Sequence, residues 1–231
     1  METVVNQPFL TKRGKYGRWG SLIGLAALFA GLLTAGQQML LISYACLLIG
    51  LVGASVGSYM ANRYVKEPRA DQRLAKALES LDRRHVLYCY YLPSEQVLFS
   101  HYGFTVLEVR NQDGAISYAD GRWRHKAGFR KFLQLFGESS LGKPEHDLQR
   151  EIGWVRDWLA KIEGGQEIPV DGVIVFTNPA AQLDIQGLDC RYATVDELAQ
   201  MVKEGLRDQP PLSTSRRHEI RSMLDDLVAQ A

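Results

Sequence analysis

The sequence predicts an α/β protein, with a two-helix transmembrane hairpin followed by a domain that has a mixed β-sheet flanked by helices. Three observations carry this expectation. Between Trp19 and Asn62 there is no Asp, Glu, Lys or Arg. Beyond that stretch, short β-branched and aromatic runs alternate with amphipathic helical ones. Finally, "DGVIVFTN" (171 to 178) is a near-continuous apolar run, the pattern of a strand covered on both faces.

With 231 residues and 46% apolar content, the chain can bury one globular core and still hold something smaller. A net charge of +1 does not by itself announce a polyanionic partner. The charge is unevenly placed, however, and the uncharged segment comes first. A bilayer-spanning helix needs roughly 20 apolar residues. "WGSLIGLAALFAGLLTA" supplies one span and "MLLISYACLLIGLVGASVGSYM" a second, with Gly36-Gln37-Gln38 as the polar break between them. A helical pair buried in a soluble core would show a polar face, and neither stretch has one. The apolar region is also too long for a cleaved signal peptide. Gly24, Gly31, Gly50, Gly53 and Gly57 are the small residues that let membrane helices approach closely.

Lys12, Arg13, Lys15 and Arg18 precede the first span; Arg63, Lys66 and Arg69 follow the second. Positive flanks stay inside, so both termini and the soluble domain are expected in the cytoplasm, with the hairpin tip outside. Cys46, Cys89 and Cys190 form no C-x-x-C, and no disulfide staple is expected. The organisation expected is a basic N-terminus (1–18), a hairpin (19–62), a juxtamembrane helix (63–84), an α/β domain (85–206) and a C-terminal amphipathic helix (207–231).

Within the soluble part, "ADQRLAKALESLDRR" (70–84) has Leu74, Ala77, Leu78 and Leu81 at helical spacing. "HVLYCYYL" reads as a strand ended by Pro93, followed by strands near 95–100 and 103–110 and a short one at "AISYA". "HDLQREIGWVRDWLAKI" places Leu148, Ile152, Val155, Leu159 and Ile162 on one helical stripe. Thr194 and Glu197 form a capping-box pattern ahead of "VDELAQMVKEGL". A last amphipathic helix carries Ile220, Met223, Leu224 and Leu227.

The stretch "VLFSHYGFTVLEVRNQDGAI" (97–116) ends its second strand in Glu108-Val109-Arg110. If the loop is His101-Tyr102, Ser100 pairs with Gly103, and counting back along the ladder sets Glu95 opposite Glu108. Alternation then puts Arg110 on the same face. Opposed Cβ atoms would lie about 5 Å apart, close enough for a hard divalent cation such as Mg²⁺ to bridge two carboxylates. A cross-strand ion pair among Glu95, Glu108 and Arg110 satisfies the same pattern. A one-residue slip would separate the two glutamates onto opposite faces.

This arrangement resembles the nuclease-related domain family (NERD) of the PD-(D/E)xK nuclease superfamily, over roughly residues 70 to 206. The resemblance rests on the order of an opening helix, "YLPSEQVLFSHYGFTVLEVRNQDGAI", "GRW", a long helix, "PVDGVIVFTNPAA" and a final short helix. It implies a restriction-endonuclease-like fold and a metal site holding Mg²⁺ or Mn²⁺ on Glu95 and Glu108, with Glu108 in the family's Glu position. Glu95 stands at or beside the position where the family has Asp, and Arg110 replaces the family's Lys. In such enzymes the Lys orients or deprotonates the attacking water. Arg stays protonated, so Arg110 can stabilise charge or hold a phosphate but cannot act as a base. The resemblance therefore implies a degenerate catalytic triad of Glu95, Glu108 and Arg110.

Arg110, together with Arg122, Trp123 and Arg124 of "GRWRHK" and with Arg130 and Lys131 beyond, is a candidate for nucleic-acid contact. More often such a run is a solvated turn whose Trp packs on the sheet. "GESSLGK" (137–143) fits most of a phosphate-binding P-loop, but Pro144 stands where Ser or Thr should meet Mg²⁺, and "FRKFLQLF" before it looks helical rather than extended. The five His residues show no zinc-ligand spacing. Trp154 and Trp158 read as core or interface anchors. Three functions remain open from the sequence: a catalytically silent binding module with DNA as candidate partner, an active metal-dependent DNase, and a structural membrane protein assembling through its hairpin as a homo-oligomer.

Overall fold

The computed structural model describes residues 1–37, 39–126, 140–205 and 210–230. Two compact units result. One holds the helical pair from Gln7 to Arg69; the other combines Met1–Asn6 with Ala70–Lys126 and the chain from Leu141 onward.

In the first unit, α1 (Gln7–Gly36) and α2 (Leu40–Tyr64) are joined at the expected polar break. Helix α1 begins well before Trp19, so the basic stretch Lys12–Arg18 is helical. At 1.5 Å per residue these helices are about 45 and 38 Å long, and both are apolar enough to cross a membrane. Only 11% and 17% of their most apolar windows are buried. Leu32, Leu41 and Leu48 stand open along them, the opposite of a soluble core helix. The two helices touch through small residues: a Cβ on Gly24 would fall 2.5 Å from the Ala54 nitrogen, and one on Gly57 2.6 Å from the Ser21 nitrogen. Ser43 Oγ donates to the Gly31 carbonyl at 2.7 Å, satisfying a hydroxyl on this otherwise apolar seam.

The second unit holds two sheets where one mixed sheet was expected. Its larger sheet has the order β1-β2-β3-β4-β7-β9. The strands are β1 (Glu2–Val5), β2 (Val86–Cys89), β3 (Gln96–Ser100), β4 (Gly103–Arg110), β7 (Val170–Phe176) and β9 (Arg191–Thr194). The smaller has the order β6-β5-β8, from β5 (Gly114–Ala119), β6 (Arg122–Lys126) and β8 (Ala181–Ile185). The N-terminal residues are thus a strand of the domain, β1 pairing parallel with β2. "GRWRHK" is a strand and not a turn, because its alternating pattern pairs antiparallel with β5.

The β3–β4 hairpin has the expected register, with Ser100 opposite Gly103 and Val97 opposite Val106. Gly103 is required there: its φ is +140°, and a Cβ would meet the Pro169 carbonyl oxygen at 2.3 Å.

Helix α3 (Ala70–Ala77) is shorter than its periodicity suggests. Asp82 accepts from the Arg84 backbone nitrogen and pairs with His85 at 2.7 Å, a local bonding pattern that competes with helix. Helix α4 (Pro144–Leu159) starts on Pro144 with Glu145 and Asp147 in its first turn, which suits the helix dipole. Its stripe Leu148, Ile152, Val155 and Leu159 buries against Val97, Phe104, Val106 and Ile174, joined by Ile220 and Leu224 of α6 (Thr214–Ala229). Before α5 (Leu198–Gly205) the Glu197 carboxylate accepts from the Thr194 nitrogen and hydroxyl, half of the expected box. The opposite sheet face carries Leu87, Leu98, Leu107 and Val173, all fully buried. Trp158 packs edge-on to Phe104, whereas Trp154 is exposed beneath the Arg150 guanidinium.

Candidate functional site

Strand β4 pairs parallel with β7, which sets Glu108 beside Ile174 and Arg110 beside Phe176. Two-residue alternation puts Glu108 and Arg110 on the face that α4 covers, and the stripe of α4 fixes what lies above them. Asp147 and Glu151 each precede a stripe residue, Leu148 and Ile152, by one position, so they flank the buried seam one turn apart. The helix lies close because Gly172 of β7 has no Cβ; one there would fall 2.5 Å from Leu148 Cδ1.

These placements build one ion network. Arg110 donates to the Glu108 carboxylate at 2.8 Å and to Asp147 Oδ2 from its other terminal nitrogen. Arg150 holds the second oxygen of Asp147 at 2.7 Å. The Ser94 hydroxyl donates to Glu151 at 2.6 Å. Glu108 is 6% exposed. Burial first, then the neighbouring charge of Glu151, push its carboxyl up to about 8, against the opposing pull of Arg110. Three carboxyl groups face two guanidinium groups here, so a proton kept on Glu108 balances the cluster. Arg110 Nε is buried without a hydrogen-bond partner.

The structure brings Glu108 and Arg110 together. Glu95 lies just before β3, where its carbonyl accepts from the Tyr90 nitrogen at 2.7 Å. Its charge bears on the Tyr90 hydroxyl, which burial, Asp71 and Glu95 in that order hold above its ordinary range. It is Ser94, one residue earlier, whose side chain reaches the network. Sequence reasoning missed Asp147, Glu151 and Ser94. The first two carried a usable signal, being acids four apart immediately beside an apolar stripe, but such acids on a helix most often face water.

A divalent ion does not fit this donor set. The Arg110 guanidinium fills the point where Glu108 and Asp147 converge, and among the described residues no group of three His, Cys, Asp or Glu is arranged to hold a metal.

Arg122 and Arg124 are exposed on β6, whereas Trp123 turns inward against Tyr118 and Phe176, with its indole nitrogen donating to Glu145. Arg130, Lys131, "FRKFLQLF" and the first three residues of "GESSLGK" lie outside the described residues. On the far sheet face a separate cleft is lined by Asp82, His85, Ser100, His101, Thr105 and Lys203.

No curated protein and no solved structure matches the chain. The family model described as the nuclease-related domain, NERD, does match, over residues 66–177. That span holds α3, both strands of the β3–β4 hairpin, the three-residue Glu108–Arg110 motif, α4 and β7. The chain carries a nuclease-related domain.

Proposed function

We propose that this protein is a membrane-anchored, nuclease-related module whose catalytic centre is degenerate, and that it binds nucleic acid at the cytoplasmic face of the membrane without cutting it. The single observation behind this reading is the Arg110 guanidinium bridging Glu108 and Asp147. A cation that cannot leave takes the place a metal would need, and Arg cannot serve as the base that Lys can. Anchoring is supported by the unburied apolar surface of α1 and α2. A topology with both hairpin ends on one side is supported by β1, which precedes α1 yet pairs with β2, beyond α2.

The test is plasmid cleavage by the full chain in detergent micelles with Mg²⁺ or Mn²⁺, beside Glu95→Ala, Glu108→Ala and Arg110→Lys. Wild type and both alanine variants are expected to leave the plasmid intact. Cutting by wild type that either alanine variant abolishes would overturn the reading in favour of a metal-dependent DNase.

A further inference from the structure

The smaller sheet exposes a strip of positive charge that the Glu108–Arg110 network does not use. Strand β6 is its edge strand, and its side chains alternate between two environments. Trp123 and His125 turn toward the protein, where Trp123 packs on Tyr118 and Phe176, and His125 Nε2 is 2.7 Å from the Asp113 carbonyl oxygen. Arg122, Arg124 and Lys126 are all exposed on the other face. Their cross-strand neighbours on β5 are Ala119, Ser117 and Ala115, none of them acidic and none long enough to cover a cation. The nearest acid across the sheet is Asp184 of β8, opposite Ser117, and it accepts from the Gln186 amide. Among the described residues no ion pair engages any of the three cations.

We infer that this face of β6 is a docking strip for the phosphate backbone of nucleic acid, formed by Arg122, Arg124 and Lys126. The inference deepens, and rests on, the binding-module reading above. Two-residue steps of about 6.7 Å make the strip roughly 13 Å long. Duplex DNA offers one phosphate per about 3.4 Å of axis on each strand, so the strip can meet three of them at once. With Trp123 turned inward, no aromatic ring stands on the strip to stack on a base. Recognition is therefore by charge and independent of base sequence.

The experiment measures binding of the full chain, in discs of zwitterionic lipid, to a fluorescein-labelled random-sequence duplex by anisotropy between 50 and 200 mM salt. Three phosphate contacts give a slope of log K against log salt of about −2.7, so affinity falls about 40-fold over that range. Arg122→Gln/Arg124→Gln/Lys126→Gln is expected to weaken binding at least tenfold at 50 mM and bring the slope near zero. Arg124→Gln alone should reduce the slope by about one. Lys203→Gln, an exposed cation elsewhere on the domain, should change nothing. Unchanged affinity and slope in the triple variant overturn the strip. So does a triple variant that aggregates while its soluble fraction still binds, because the charges then only protect an edge. Binding to anionic vesicles but not to the duplex, lost in the triple variant, also overturns it and reassigns the strip to lipid. Adding Mg²⁺ to the same samples separates the two claims: cleavage that needs Glu108 removes the degenerate-site reading and leaves the strip standing.

Discussion

Glu108 is a carboxyl group buried beside Glu151, and its protonation is tied to folding. In the unfolded chain it ionises near 4.5, whereas in the fold it keeps its proton to about 8. Below the lower value both states are protonated, and stability does not depend on this group. Between the two values the folded state holds a proton that the unfolded state has lost, so each rise in pH favours unfolding. Above about 8 both are ionised and the slope vanishes. Thermal midpoints of the full chain, followed by near-UV circular dichroism in micelles, should therefore fall across that window. Glu108→Gln, which stays neutral and can still donate to Glu151, should flatten the decline. Arg110 sits at the centre of the same network, with its side chain 11% exposed. Arg110→Ala would leave the buried Glu108 carboxyl and Asp147 without their shared hydrogen-bond donor and should cost about 2 kcal/mol. A midpoint shift no larger than that of a surface Arg→Ala would show that the bridge contributes little.

Two glycines set the geometry of their elements. At Gly103 the turn needs a φ that side chains resist, and a methyl would press on the Pro169 carbonyl. Gly103→Ala should cost about 2 kcal/mol and loosen the β3–β4 register, read as faster amide exchange at Leu98 and Phe104. Gly24 is one of the points where α1 and α2 approach closely, 2.5 Å being left between a Cβ there and the Ala54 nitrogen. Gly24→Leu should pry the helices apart, lowering the SDS fraction at which ellipticity is half lost. Ala35→Leu at the end of α1 should not. Of the elements themselves, α1, α2, β3, β4, β7 and the stripe of α4 were legible because each carries a full apolar pattern in neighbouring residues. Strands β1, β6, β8 and β9 were not: each is short and partly exposed, and all four are sheet edges whose polar residues read as turn or tail.

For the molecule as a whole, β1 makes a prediction about topology. A strand before α1 that pairs with β2 beyond α2 supports the proposed topology, in which both hairpin ends lie on one side. In a background free of Cys46, Cys89 and Cys190, Gln37→Cys should react with a membrane-impermeant maleimide in intact cells. Lys12→Cys and Gln230→Cys should react only after lysis, and early labelling of either would reverse the assignment. The sequence by itself determined the uncharged helical pair, the β3–β4 hairpin with its register, and the Glu108-Val109-Arg110 motif. Each of these is written in neighbouring residues: charge content, two-residue alternation, a turn. Only the tertiary structure decided what surrounds Glu108. Asp147 and Glu151 arrive from a helix some forty residues away, brought over β4 by apolar packing that says nothing about the charges it carries along. Likewise, only packing could turn Trp123 inward and leave Arg122, Arg124 and Lys126 outside, because alternation states that two faces differ but not which one the core will cover.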